Sequence, residues 1–232
     1  MSHPDSLRRP DPRAVVAPRT LGRGVLVLAA ALIALGPGGA WAGTPTEELK
    51  RQTDQVLKVL RAPDLTPAER RAAVRDLAIE TFDVTETARR ALGPHWQQRS
   101  PAERDEFVKL FRDLLEQTYV SRIDEYGGER LEYVAERVDG DAAIVRAQIV
   151  TKAGTAVPVE SRLNNRGGRW LVYDVLIENV SLVGSYRSRF DRIIRTGSYD
   201  DLVKRLRERV VQLQTSGDKA ARPARPPGAT PR

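Results

Sequence analysis

The sequence predicts an α+β domain in which helices accompany a four-stranded antiparallel meander. Three observations point there. Helix-start signatures cluster between residues 44 and 103. From residue 130 the apolar period falls from the helical value to two across four short segments. Short joins, each with a glycine, separate those segments, and such joins fit hairpins rather than crossovers.

The helices come first. Thr44-Pro45-Thr46-Glu47 and Thr66-Pro67-Ala68-Glu69 have the form of capping boxes with proline at the first helical position. Asp83-Val84-Thr85-Glu86 and Ser100-Pro101-Ala102-Glu103 repeat the device. The first helix is predicted to reach about Leu60, the second about Ile79, and the third Leu92, before Gly93-Pro94. A fourth is predicted over 101–125, with a wide apolar stripe that includes Phe107, Leu110, Phe111, Leu114, Leu115 and Tyr119. Gly127-Gly128 stops it.

Strands are predicted at 130–138, 142–151, 155–164 and 169–178. Pro158 removes a ladder donor, which suggests an edge or a bulge. In the fourth strand both parities are apolar, so both faces need cover or one borders a cavity. Two further helices are predicted, from about Leu182 to Arg195 and from about Tyr199 to Leu213.

The two ends differ from the domain at 43–214. Val25 to Leu35 is an unbroken apolar run behind an arginine-bearing segment, and Ala40-Trp41-Ala42 follows with small residues at the cleavage positions. Residues 1–42 therefore read as a secretory signal peptide. The run is about half of the ~20 residues that a membrane span needs. Residues 215–232 are rich in Pro, Arg, Ala and Gly and read as a disordered tail. The net charge of +7 sits in these ends: +3 in 1–42 and +3 in 215–232, leaving +1 for 43–214. A nucleic-acid-binding domain concentrates its charge on a folded face instead, so no nucleic-acid partner is expected.

Motifs for chemistry are sparse. The chain has no cysteine, which excludes disulfides, thiolate metal sites and a lipid-modified N-terminal cysteine. With His3 in the leader, His95 is the only histidine of the mature chain, and no G-x-S-x-G elbow accompanies it. Metal-ligand spacings and phosphate loops are absent, so no metal or cofactor is expected. Asp174 sits among Tyr173 and Val175; either it partners an arginine or it shares acid–base work with His95. What remains is an apolar surplus. An ordinary core absorbs such a surplus, and so does a cavity for an apolar ligand or a groove for a peptide or helix.

Three segments carry a resemblance to a known family. They are Phe82-Asp-Val-Thr-Glu-Thr-Ala-Arg-Arg-Ala-Leu-Gly-Pro-His-Trp96, then Ser100 to Tyr119, then Gly168 to Phe190. The last is the most specific, through Trp170, Tyr173-Asp174, Glu178, Val180-Ser181 and Tyr186-Arg187-Ser188. In these the chain resembles the MlaC-type periplasmic phospholipid-binding proteins, also described as toluene-tolerance auxiliary proteins of an ABC transport system. The resemblance implies a helical layer on a twisted antiparallel sheet, NTF2-like, with an apolar cavity between the layers. It implies a non-enzymatic periplasmic carrier that uses no cofactor. Such a carrier passes phospholipid between an outer-membrane lipoprotein complex and the substrate-binding ring of an inner-membrane ABC transporter. A hopanoid-associated branch has similar motifs, which leaves the lipid class open.

On this reading the predicted cavity walls are Phe82, Leu92 and Trp96, then Phe107, Leu110, Phe111 and Leu114 of the long helix, and Val145, Ile149, Val172 and Leu176 of the sheet. Tyr186 is predicted to close one end, and Arg90 and Arg187 to stand at the mouth or dock partners.

Overall fold

The computed structural model describes residues 43–221; the predicted signal peptide and residues 222–232 lie outside the described residues. Six α-helices occur among them: α1 Pro45–Arg61, α2 Pro67–Thr81, α3 Val84–Leu92, α4 Pro101–Tyr119, α5 Leu182–Thr196 and α6 Tyr199–Ala221. Between α4 and α5 run β1 Arg130–Asp139, β2 Ala142–Val150, β3 Ala156–Arg166, β4 Arg169–Ile177 and β5 Val180–Ser181. The sheet is antiparallel throughout and its strands lie in sequence order.

The predicted caps form where the sequence places them. At Thr44, Thr66 and Ser100 the hydroxyl accepts from the backbone N–H of Glu47, Glu69 and Glu103, and each glutamate reaches back to the cap. Asp83 is half a box. It accepts from the Glu86 N–H at 2.9 Å, but the Glu86 carboxylate turns to Arg89 and Arg90 instead.

Four boundaries depart from the expectation. The predicted 101–125 helix ends at Tyr119 and tightens into a 3₁₀ turn, Val120–Glu125. Residues three apart eclipse in a 3₁₀ turn, and here Val120 and Ile123 both bury against the sheet. The sheet has five strands rather than four. Glu178 and Asn179 both take positive φ, 49° and 65°, and the chain folds back so that Ile177 pairs with Val180. Two such residues in a row are the backbone of a type I′ hairpin turn. Pro158 lies on the central strand β3, not on an edge. Its carbonyl accepts from Glu178, just past the end of β4, so its missing N–H falls where that ladder stops. Lastly, α6 continues to Ala221, into the predicted disordered tail, since no proline interrupts the chain before Pro223.

Two apolar cores organise the domain. One lies between sheet and helices and joins Leu49, Val56 and Leu60 of α1 with Val145 and Ile149 of β2, Leu163 of β3 and Val172 of β4. The other is helical and joins Leu92, Trp96, Phe107, Phe111 and Leu114 with Phe190 of α5 and Leu202 and Leu206 of α6.

The two-faced pattern of β4 has a local cause. Leu163 pairs with Val172 while Arg162 pairs with Asp174, so Tyr173 is an inserted residue. A bulge of this kind reverses the side-chain parity beyond it. Trp170 and Val172 join the helix–sheet core before it, and Val175 joins after it. Asp174 is thereby turned away from the Trp170 side on which strand parity alone places it. Burial in β2 and β3 alternates strictly across most of their length, so both strands pack one face on the helices.

Asp174, only 3% exposed, ties β4 to the start of α5. Its carboxylate accepts from Ser181 Oγ at 2.7 Å and from the Val183 N–H at 3.0 Å, with an Arg162 guanidinium nitrogen 3.9 Å away. An anion at a helix N-terminus is favoured by the helix dipole as well. Asp174→Ala leaves two donors of a buried cap unmatched and is expected to cost about 3 kcal/mol. Urea denaturation, read as a lower midpoint at unchanged slope, checks it; Asp174→Asn, which keeps an acceptor, should lose less.

Candidate functional site

One apolar recess opens between α2 and α4. Arg75, Ala78, Ile79 and Phe82 supply one wall, and Arg112, Leu115, Glu116 and Tyr119 the other. Both sets follow the spacing i, i+3, i+4, i+7, so each is a single helical stripe, with Phe82 just past the end of α2. Val84, Thr87, Val120 and Leu182 complete it. Phe82 and Val120 also belong to the helix–sheet core, so the recess leads toward the space between the layers. Its cavity volume is about 50 Å³, and the atom-free space reaches about 570 Å³ when the open mouth is counted.

The two helices run antiparallel and are laced by ion pairs. Arg75 Nε donates to Glu116, and Arg71 and Arg70 both meet Asp124 beyond the end of α4. Ile79 stands 49% exposed in the wall, an apolar side chain without full cover. Within the recess the polar Thr87 is satisfied: its hydroxyl donates to the carbonyls of Asp83 at 2.8 Å and Tyr173 at 3.1 Å.

The predicted wall residues are distributed unevenly around this opening. Phe82 lines it. Val145, Ile149 and Val172 pack in the helix–sheet core. Leu92, Trp96, Phe107, Phe111 and Leu114 form the helical core, with Leu110 packed against them. Leu176, past the bulge, borders a separate shallow recess with Val134, Gln148 and Glu160. Tyr186 stacks edge-on to Phe111 at 5.0 Å, one residue behind the recess wall. Burial pushes the Tyr186 phenol above its ordinary value.

Sequence reasoning passed over the α2 stripe and over Leu115 and Tyr119 as recess residues. The available signal was the width of the α4 stripe, too broad for one contact surface. Phe107, Phe111 and Leu114 are buried in the helical core, while Leu115 packs at the edge of that core and, with Tyr119, lines the recess.

The candidate rim arginines have definite places. Arg90 lies 3.9 Å over the Tyr173 ring and donates to Glu86 at 2.6 Å. Arg187 is exposed and crosses close to Gly93, where a Cβ would stand 2.9 Å from its Nε. His95 and Asp174 engage different partners. His95 Nε2 lies 2.9 Å from Asp191, whereas Asp174 holds Val183, about 12 Å away along α5 at the helical rise. Among the described residues no group of three His, Asp or Glu side chains could hold a metal ion. Nor is any helix there long and apolar enough to cross a membrane.

Comparison with known proteins decides the family. The family model described as MlaC protein matches residues 50–208. The chain belongs to the MlaC family. The intermembrane phospholipid transport system binding protein MlaC of Haemophilus influenzae is 22% identical over 147 residues, 61% of this chain and 69% of that one. The toluene tolerance protein ttg2D of Pseudomonas putida is 27% identical over 104 residues, 44% of this chain and 48% of that protein. A phospholipid-binding protein from Ralstonia solanacearum, solved in complex with a phospholipid at 1.53 Å, superposes with a TM-score of 0.66 at 25% identity. That likeness covers 74% of this chain and 99% of the other. Helices packed on an open antiparallel sheet are thus the fold of the family.

Glu86 anchors the charged margin of α3. It is 7% exposed and accepts from Arg89 twice and Arg90 once, each at 2.6 Å. The Arg89 hydrogen bonds, against the cost of burial, hold its pKa below the ordinary carboxylate value. A depressed folded pKa gives stability that is present above the unfolded value of about 4.3 and lost as pH falls through the folded one. Glu86→Gln should therefore cost about 1–2 kcal/mol at neutral pH. The gap from the parent should close as pH falls below about 4. Denaturant titrations across pH 3–7 measure it.

Proposed function

We propose that this MlaC-family chain carries phospholipid across the periplasm. The acyl chains are held in the α2–α4 recess, between an outer-membrane lipoprotein complex and the substrate-binding ring of an inner-membrane ABC transporter. The carrier thereby maintains the lipid asymmetry of the outer membrane. Residues 1–42 act as the cleaved export signal, and no catalysis is involved. The observation that carries this reading is the recess itself. It is an open apolar cleft with an uncovered Ile79, in a fold shared with a protein solved holding a phospholipid.

The energetics suit a carrier. Burying a methylene is worth about 0.8 kcal/mol against water, but a donor or acceptor bilayer is as apolar as the recess. Exchange is close to neutral, and direction comes from the partners at each end. A cavity of about 50 Å³ holds no acyl chain, so loading parts α2 from α4. Exposed ion pairs are each worth about 0–1 kcal/mol, so the lacing across the cleft resists this only weakly.

The test is native mass spectrometry with lipid extraction on the exported, mature chain. One phospholipid per chain is expected. A chain that arrives empty and stays empty after incubation with liposomes sinks the reading and favours a peptide-binding groove; bound hopanoid reassigns the cargo. Ala78→Trp places an indole in the recess. It should abolish bound lipid while the unfolding temperature stays within about 4 °C of the parent.

A further inference from the structure

We infer that Arg112 takes the phosphodiester of the bound lipid, fixing the head group at one end of the α2–α4 recess. The inference rests on the carrier reading and adds a head-group contact to it.

Three charged residues line the recess: Arg75, Glu116 and Arg112. The first two neutralise each other across the cleft. Arg112 is left with Asp113, the next residue on its own helix, at 3.5 Å. That is longer than an ordinary N–H···O hydrogen bond, and Asp113 does not line the recess. The Arg112 side chain is 42% exposed. A planar guanidinium with open donors thus stands beside an apolar wall.

Placement along the cleft sharpens the point. Because Arg75 meets Glu116 and Arg71 meets Asp124, the antiparallel helices bring Arg112 level with the C-terminal part of α2. That part carries the exposed Ile79. An uncovered apolar side chain and an underused cation at one end match the junction of a phospholipid, where acyl chains give way to phosphate. The guanidinium fork fits two phosphate oxygens at once, which neither an ester carbonyl nor a hydroxyl does. The head-group substituent beyond the phosphate meets solvent, so the contact selects for the phosphate and not for the alcohol it bears.

Competition between a phospholipid and a diacylglycerol with the same acyl chains tests this. Both are presented in mixed vesicles to the mature chain, and bound lipid is quantified by mass spectrometry after extraction. The parent should prefer the phospholipid by ~10-fold, the scale of one charge-assisted hydrogen-bonded pair. Arg112→Gln should still bind both lipids with the preference reduced to about unity. Arg112→Lys, which keeps the charge and loses the fork, should fall between. An unchanged preference in Arg112→Gln overturns the assignment. So does loss of both lipids from Arg112→Gln and Arg112→Lys alike, which would make Arg112 part of the wall. Inorganic phosphate without lipid probes the other source: micromolar calorimetric binding to the parent, absent in Arg112→Gln, reassigns the arginine to free phosphate. A parent chain that takes up neither lipid overturns the carrier reading, and this contact falls with it.

Discussion

Phe111 is packed by Phe107, Phe190 and Tyr186 at ring separations of 5.0–5.9 Å, and the placement of the recess depends on that cluster. Aromatic groups at these distances gain beyond simple burial when they meet edge-on. Phe111 meets Phe190 and Tyr186 in that way. The cluster fixes the rotation of α4 about its axis, because Phe107, Phe111 and Leu114 must face α5 and α6. With that rotation Leu115, at the edge of the core, and Tyr119 also border the recess beside α2. The wall of the opening is therefore tied to a core contact of the same helix.

The two walls are held by different forces. On α4, three fully or nearly buried apolar side chains anchor the helix in the core. On α2, only Val74 and Thr81 are fully buried, Leu77 and Ala78 pack partly against the core, and Arg70, Arg71 and Arg75 add ion pairs. Apolar burial is worth about 25 cal/mol per Å² and is insensitive to salt, whereas exposed ion pairs contribute little and are screened. The asymmetry makes α2 the less firmly held of the two walls. Asp174 separately tethers the start of α5 to β4, which ties the helical bundle to the sheet without help from α2.

Most of the architecture was legible because it is written in local chemistry. Capping boxes mark three helix starts, and Gly-bearing joins mark the hairpins. What escaped was non-local. The bulge at Tyr173 follows from how β3 and β4 meet, so strand parity misassigned Asp174 and Leu176. The Glu178-Asn179 turn lacks glycine, and β5 is two residues long, below any periodic signal. For the recess, the large apolar residues attracted attention and the small or charged ones did not. Phe107 and Phe111 are large because they fill a core; Ala78 and Thr87 line the opening because bulk there would close it. Of the predicted walls, Phe82 alone reaches the opening directly, since it sits where the end of α2 bridges to Val172 of the sheet.

The small cavity volume has a rationale in stability. An apolar void costs about 24 cal/mol per Å³. A sealed apolar void of roughly 500 Å³ would cost on the order of 12 kcal/mol. That is as much as the whole stability of an ordinary domain, about 5–15 kcal/mol. The cavity volume of about 50 Å³ is small by that measure. On the carrier reading proposed above, a domain that takes up long apolar chains cannot keep their full space standing empty. It can let its own walls meet, and leave at the seam an apolar residue, such as Ile79, that the cargo would cover. Closure by ionic lacing rather than by a second aromatic cluster then fits the same constraint. On the same reading, a seam sealed by a second aromatic cluster would favour the empty state over exchange with a bilayer.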